Sequence, residues 1–239
     1  MDKKEFEILF GVKIDKIKKF CVIILPPHRI YEKQFNLKKI TKGLIYKYAE
    51  NSEFSFIFAP MGIPFSGDCV LYLQKSKCKK IFLLGLAGTT SEKHQQNNLF
   101  LIQKAFSPDS FSLTIDLKKQ FLSTSTNFKF TNTIKNYLKE QNILFENCIS
   151  LYSLFSEYNF IKENKNIKAG LLDFETFSFY YALNKTQKEG FALLCPTDNI
   201  IKKEIHENFG KNKNKTTKTI ETFAKKSINL LKFIINETG

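Results

Sequence analysis

Arginine is almost absent from this chain: of 37 basic residues, only Arg29 is an arginine. Lysine serves well on a solvated face, whereas arginine is the preferred planar, bidentate holder of phosphate or carboxylate. Arg29 is therefore marked as a candidate anion-binding residue, the alternative being one more surface cation. Tryptophan is missing, and the three histidines (His28, His94 and His206) stand far apart. Cys21, Cys69, Cys78, Cys148 and Cys195 are odd in number and widely spaced, with no Cys-x-x-Cys among them. That excludes the familiar zinc spacings and a small disulfide scaffold, so no metal is expected. Most of the cysteines lie in or beside apolar runs and read as small buried hydrophobes in a reducing cytoplasm. No apolar run approaches the ~20 residues that cross a bilayer, which argues against a membrane partner. Met1 to Phe10 is charged where an export signal would be apolar.

What is present is the balance of an ordinary globular protein: 239 residues, 43% hydrophobic and 25% charged. That length supports a single domain over residues 1–239 with one sizeable core. The net charge of +14 raises the question of a nucleic-acid partner. The lysines are scattered, however, and no helix carries a basic stripe interleaved with aromatics. Abundant Lys, Asn, Ile and Phe also fit the codon bias of an AT-rich genome. Nucleic-acid binding is the weaker reading.

Short apolar runs rich in β-branched and aromatic residues, each ended by Pro or Gly, predict buried strands at Phe20–Leu25, Phe54–Ala59 and Ile81–Leu86. The last should be closed by Ala87-Gly88-Thr89-Thr90. A helix is expected over Ser66–Ser76, which makes a βαβ unit. Further strands are expected at Asn98–Ala105, Ile143–Leu151, Ala169–Phe174 and Phe191–Leu194, the last ended by Cys195-Pro196. Helices are expected at Thr131–Gln141, from the acidic segment through Leu183, and at Thr217–Ile235, with a mobile loop at Asn208–Thr216. Alternating buried strands and helices imply an α/β three-layer sandwich with a mixed central sheet. Ligands in such folds bind at the carboxyl ends of strands. Pro26–Arg29, Met61–Ser66, Gly85–Thr90 and Pro196–Asn199 should therefore converge, with Asp173–Thr176 beside them.

Two carboxylates, Asp173 and Glu175, stand two residues apart there. Glu175 has Phe174, Phe177 and Phe179 around it, and a buried carboxylate needs partners. Sugar hydroxyls would serve, but so would the dipole of a helix N-terminus. Asp198, just beyond a strand, is a candidate general acid or a turn-capping aspartate.

In order along the chain, Met61-Gly62-Ile63-Pro64, Lys79-Lys80-Ile81-Phe82-Leu83-Leu84-Gly85-Leu86-Ala87-Gly88, Asp173-Phe174-Glu175 and Thr197-Asp198 resemble the nucleoside phosphorylase/nucleosidase superfamily. The resemblance implies a phosphorylase/hydrolase-like sandwich whose sheet can close into a distorted barrel. It also implies cleavage of a nucleoside's N-glycosidic bond. By that resemblance Glu175 holds the ribose hydroxyls, Phe174 lies under the sugar, and Asp173 and Gly62 adjoin the substrate. Asp198 protonates the purine ring nitrogen, and Phe155 or Tyr158 stacks on the base. Arg29 and Gly88 fall at the phosphate site. Leu83 stands where phosphorylases carry a second arginine, Leu86 where they often have a small hydroxyl residue, and the early glutamate of the hydrolases is missing, with His28 as its one substitute.

Phosphorolysis of a purine nucleoside leads on Arg29 and the Gly-Ile-Pro turn, with inorganic phosphate as co-substrate and no cofactor. A hydrolytic nucleosidase of the methylthioadenosine type is the alternative, and a non-catalytic nucleoside-binding member is a third reading. The resemblance also implies a homo-oligomer.

Overall fold

The apolar runs of the sequence become strands, and helices cover both of their faces. In chain order the elements are α1 (Lys3–Phe10), β1 (Phe20–Ile24), α2 (Arg29–Gln34), β2 (Thr41–Lys42), β3 (Lys47–Glu50), β4 (Phe54–Phe58), α3 (Ile63–Tyr72), β5 (Lys80–Thr89), β6 (Leu99–Ser107), β7 (Leu122–Ser125), α4 (Asn132–Glu140), β8 (Ile143–Ser150), α5 (Glu157–Glu163), β9 (Leu171–Asp173), α6 (Thr176–Thr186), β10 (Glu189–Asn199) and α7 (Lys213–Thr238). This computed structural model describes residues 2–26, 29–37, 39–94, 98–108, 122–151, 153, 157–163, 168–201 and 213–238.

The central strands β4, β1, β5 and β10 run parallel, with Phe20 paired to both Phe54 and Lys80, and Lys80 paired to Glu189. Side chains alternate across such a sheet. Cys21, Ile23, Ile81, Leu83 and Ala192 pack with Phe6 and Phe10 of α1, Val70 of α3 and Phe177 and Phe179 of α6. Val22, Ile24, Phe82, Leu84 and Phe191 face the other way, onto Tyr31 of α2, Ile134 and Leu138 of α4 and Phe223 and Leu231 of α7. The result is the three-layer α/β sandwich that the sequence predicts. The five cysteines are all buried and unbridged.

β5 changes neighbours along its length. Its first half pairs with β1 as far as Leu84, and its end pairs antiparallel with β9 through Gly88–Leu172 and Thr89–Leu171. β10 flanks it on the other side throughout. β10 also pairs with β6, β6 with β8, and β8 with β9, so β5, β10, β6, β8 and β9 close a ring. β1, β4, β3 and β2 extend from it as a wing. Tyr180 of α6 braces the ring, its hydroxyl donating to the Ile102 carbonyl and accepting from the Ala192 N–H.

Among the boundaries that differ from the sequence reading, four stand out. β5 continues through Ala87-Gly88-Thr89, because β9 and β10 hold it on both sides. β10 continues through Cys195-Pro196 to Asn199. Pro196 is tolerated because it lies beyond the pairing to β6, which covers only Leu193 and Leu194, and next to a bulge at Thr197. α3 starts at Ile63 rather than Ser66, because Pro64 falls in its first turn, where no N–H is needed. α7 starts at Lys213, so the end of the loop expected at Asn208–Thr216 is helical; the rest lies outside the described residues. Among the described residues no helix is long and apolar enough to cross a membrane.

Candidate active site

The parallel register places the carboxyl ends of β1, β4, β5 and β10 on one edge of the sheet, where the site is expected. Gly88 is the pivot of this edge. It pairs with Leu172 on one side and with Asp198 on the other. Two strand spacings, ~10 Å, thus separate the aspartate of β10 from the strand that leads into the acidic segment. A Cβ on Gly88 would meet Ile200 Cδ1 at 2.5 Å, so the glycine lets that side chain lie against β5.

The acidic segment divides its labour. Asp173 ends β9 and is buried. Its Oδ1 accepts from Ser150 Oγ at 2.5 Å, and its Oδ2 accepts from the Thr176 N–H at 3.0 Å and from the Thr176 hydroxyl. Ser150 Oγ in turn accepts the Phe177 N–H at 2.9 Å. Asp173 therefore caps the first turn of α6, the anchoring that an N-terminal acid provides. The sequence groups it with substrate ligands; the structure engages both its oxygens from within.

Glu175 is 5% exposed and held differently. Its Oε1 accepts the Gly62 N–H at 2.7 Å and its Oε2 the Phe174 N–H at 3.2 Å. Gly62 has φ +117°, a backbone conformation that side-chain-bearing residues rarely adopt. That conformation turns its N–H towards the carboxylate at the start of α3. Serines lock the two helix starts together. Ser66 Oγ donates to the Glu175 carbonyl at 2.9 Å and lies 2.8 Å from Ser178 Oγ, which donates to the Ile63 carbonyl at 2.5 Å. Burial, and then the neighbouring charge of Asp173, push the Glu175 carboxyl up to about 8 against the opposing pull of the two N–H donors. Asp173 is also raised by burial, with the Ser150 and Thr176 donors opposing the shift.

Asp198 lies inside β10, immediately after the bulge, rather than beyond a strand end. Thr197 Oγ donates to its Oδ2 at 3.0 Å. Phe174 is half-buried against the cluster of Ile149, Leu151, Leu172 and Ile200. Arg29 opens α2 with its side chain exposed. Leu83 is fully buried in the core, and Leu86 is half-buried. Tyr158 is 41% exposed on α5. Phe155 and His28 lie outside the described residues. Sequence reasoning placed Ser66 and Thr176 only as the ends of converging segments, without their roles, and missed Ser150 and Ser178. Their one signal is a small hydroxyl residue on an otherwise apolar helix face or strand end. Among the described residues no group of three or more His, Cys, Asp or Glu could hold a metal.

No protein-family model and no curated protein matches the sequence. Solved structures do match in shape. The 5′-methylthioadenosine/S-adenosylhomocysteine nucleosidase of Campylobacter jejuni superposes with a TM-score of 0.66 at 16% identity, over 90% of this chain and 96% of that one. The futalosine hydrolase of Helicobacter pylori gives 0.65 at 15% identity, over 92% and 99%. The AMP nucleosidase of Bacteroides thetaiotaomicron gives 0.71 at 14% identity, over 95% and 96%. Over nearly the whole of each chain, this protein therefore shares the fold of these two nucleosidases and the futalosine hydrolase.

Proposed function

We propose that the protein cleaves the N-glycosidic bond of a purine nucleoside or nucleoside derivative, with water taking the sugar. The observation that carries the reading is Glu175: a buried carboxyl with two backbone N–H donors, fixed between two helix starts at the carboxyl edge of the sheet. A carboxyl so held is suited to take the hydroxyls of a bound ribose. In this reading Asp198 gives its proton to a ring nitrogen of the base. The bond from the sugar C1′ to the base nitrogen breaks, its electron pair goes to the base, and the proton neutralises that charge. The electron-poor sugar carbon then takes water, which releases one proton, and that proton restores the Asp198 carboxyl. A positioned proton donor contributes typically ~10²–10⁴ in rate. Phe174 is placed by the resemblance under the sugar, and Asp173 supports Glu175 by anchoring α6.

The residues alone put phosphorolysis first. Hydrolysis is favoured now for two reasons. The solved structures of like fold named above are nucleosidases and a hydrolase, and Leu83 is core-packed where a second phosphate-binding arginine would be needed. Arg29, exposed at the start of α2, is the residue that a phosphorylase reading would rest on. No cofactor enters the proposed chemistry.

Assembly of identical chains belongs to the same reading. Ile8 and Leu44 are 54% and 77% exposed, and the Leu44 N–H bonds the Ile8 carbonyl, so two exposed apolar residues are neighbours at the surface. Sedimentation showing a monomer at micromolar concentration would count against assembly.

The test is release of free base from adenosine, inosine, guanosine and methylthioadenosine, with and without phosphate. Release without phosphate supports hydrolysis. Release only with phosphate overturns it in favour of phosphorolysis and gives Arg29 its anion. Nucleoside binding with no release at high enzyme concentration overturns both.

A further inference from the structure

At the opposite edge of the sheet, where β1, β5 and β10 begin, the chain gathers positive charge. Strand pairing sets Phe20, Lys80 and Glu189 side by side, which brings Lys19, Lys79, Lys80 and Lys188 around one cleft of about 550 Å³. Thr186, Gln187 and Thr238 complete its wall. Among the described residues, four lysines face one carboxylate, that of Glu189, which lies 4.0 Å from Lys80 Nζ.

Lys188 is the informative member. It is 8% exposed, and its Nζ donates to the Cys78 carbonyl at 2.5 Å. An ammonium has three donors, and a carbonyl satisfies one of them without supplying a counter-charge. Burying a cation without an anion is costly. Among the described residues no carboxylate lies within ion-pair distance of Lys188, Lys19 or Lys79. Lys80 Nζ is engaged by the Thr238 carbonyl at 3.0 Å. Burial lowers the Lys80 pKa; the charge of Glu189 opposes that shift, and those of Lys19 and Lys79 add to it. Helix C-termini attract cations, and those of α6 and α7 account for part of the clustering. They do not account for Lys188, whose partner carbonyl belongs to the segment before β5.

We propose that this cleft binds a small polyanion of the polyphosphate class, whose oxygens take the free donors of Lys188 and the ammonium groups of Lys19 and Lys79. Its volume is within the ordinary range for small ligands, ~300–1,000 Å³. The site is separate from the one around Glu175. β5 and β10 start here and carry Gly88 and Asp198 at their far ends, and α6 ends here with Glu175 at its start.

The experiment is calorimetric titration of the whole protein with inorganic tripolyphosphate at low salt, alongside thermal unfolding with the same probe. Saturable binding and a rise in Tm are expected. A Lys19→Ala/Lys79→Ala double variant should weaken binding at least tenfold. A Lys188→Met variant, which keeps the volume without the charge, should lose the Tm rise. Asp198→Asn and Arg29→Ala should bind as the parent does. Three results overturn the proposal: no binding at low salt, equal affinity in the lysine variants, or loss of binding in Arg29→Ala. Tighter binding of a short oligonucleotide than of tripolyphosphate, removed by the same lysine variants, overturns it in favour of a nucleic-acid surface. None of these results depends on base release.

Discussion

Gly62 donates its backbone N–H to Glu175 Oε1 at 2.7 Å, across 113 residues of chain. The contact depends on Gly62 at φ +117°, and around it a Cβ would find open space, the nearest atom being Phe65 Cδ2 at 3.9 Å. The demand for glycine is therefore conformational and not one of room. Gly62→Ala should lower stability by about 1–3 kcal/mol through backbone strain. It should also raise KM for nucleoside as the N–H turns from the carboxylate. Urea unfolding and steady-state kinetics test both effects, and a variant with unchanged KM would detach Gly62 from the site.

The raised pKa of Glu175 has a signed consequence for stability. Below the ordinary carboxyl value of 4.5, folded and unfolded chains both hold the proton; between 4.5 and about 8 the unfolded chain releases it while the folded chain retains it. The folded state then binds more protons, so stability falls as pH rises through that window. Urea midpoints at pH 5, 6.5 and 8 should decline more steeply for the parent than for Glu175→Gln. Parallel curves would remove Glu175 as the source.

Asp198→Asn replaces the carboxyl by an amide of nearly the same shape, which cannot act as the acid. If Asp198 is the acid, kcat for base release should fall by roughly 10²–10⁴ with KM changed only a few-fold. An equal loss in binding, or no loss of turnover, would assign Asp198 to the strand end alone.

Ser150 is the hinge of the Asp173 network, donating to Asp173 Oδ1 and accepting from the Phe177 N–H. Ser150→Ala leaves a buried carboxylate oxygen and a buried N–H without these partners, at about 1–3 kcal/mol for each group. A stability loss of roughly 2–6 kcal/mol is expected, together with weakened activity, because Glu175 sits at the N-cap of α6. A loss below ~0.5 kcal/mol, the scale of a neutral surface change, would show that other donors replace Ser150.

The central strands were legible because Cys21–Ile24 and Ile81–Leu84 are continuous apolar runs and Phe54–Phe58 is broken only by Ser55, the signature of a sheet covered on both faces. The ends of β5 and β10 were not, because Gly88 and Pro196 read as stops until flanking strands are known to hold them. β3 was hidden because Lys47-Tyr48-Ala49-Glu50 mixes exposed and buried positions and takes its order from β4. At the site, residue types and spacing placed Glu175 and Asp198 at strand ends but left helix-dipole and capping alternatives open; the family resemblance supplied their proposed roles. Asp173 shows the limit of that reasoning. Two acids two residues apart look like a pair, and only the positions of Ser150 and Thr176 separate the anchor from the candidate ligand.

The ring made by β5's change of partner also bears on how the protein behaves in company. A strand inside a closed ring has no free row of N–H and C=O groups to offer another chain. Among the described residues, the outermost strands are β2, two residues long, and β7, whose Leu122-Ser123-Thr124-Ser125 is mostly hydroxylic. A sheet built from such aromatic, β-branched runs would be a ready template for amyloid-like stacking if cut open. By burying those runs in the interior and leaving short polar strands at its borders, the fold keeps its most aggregation-prone segments away from neighbouring molecules.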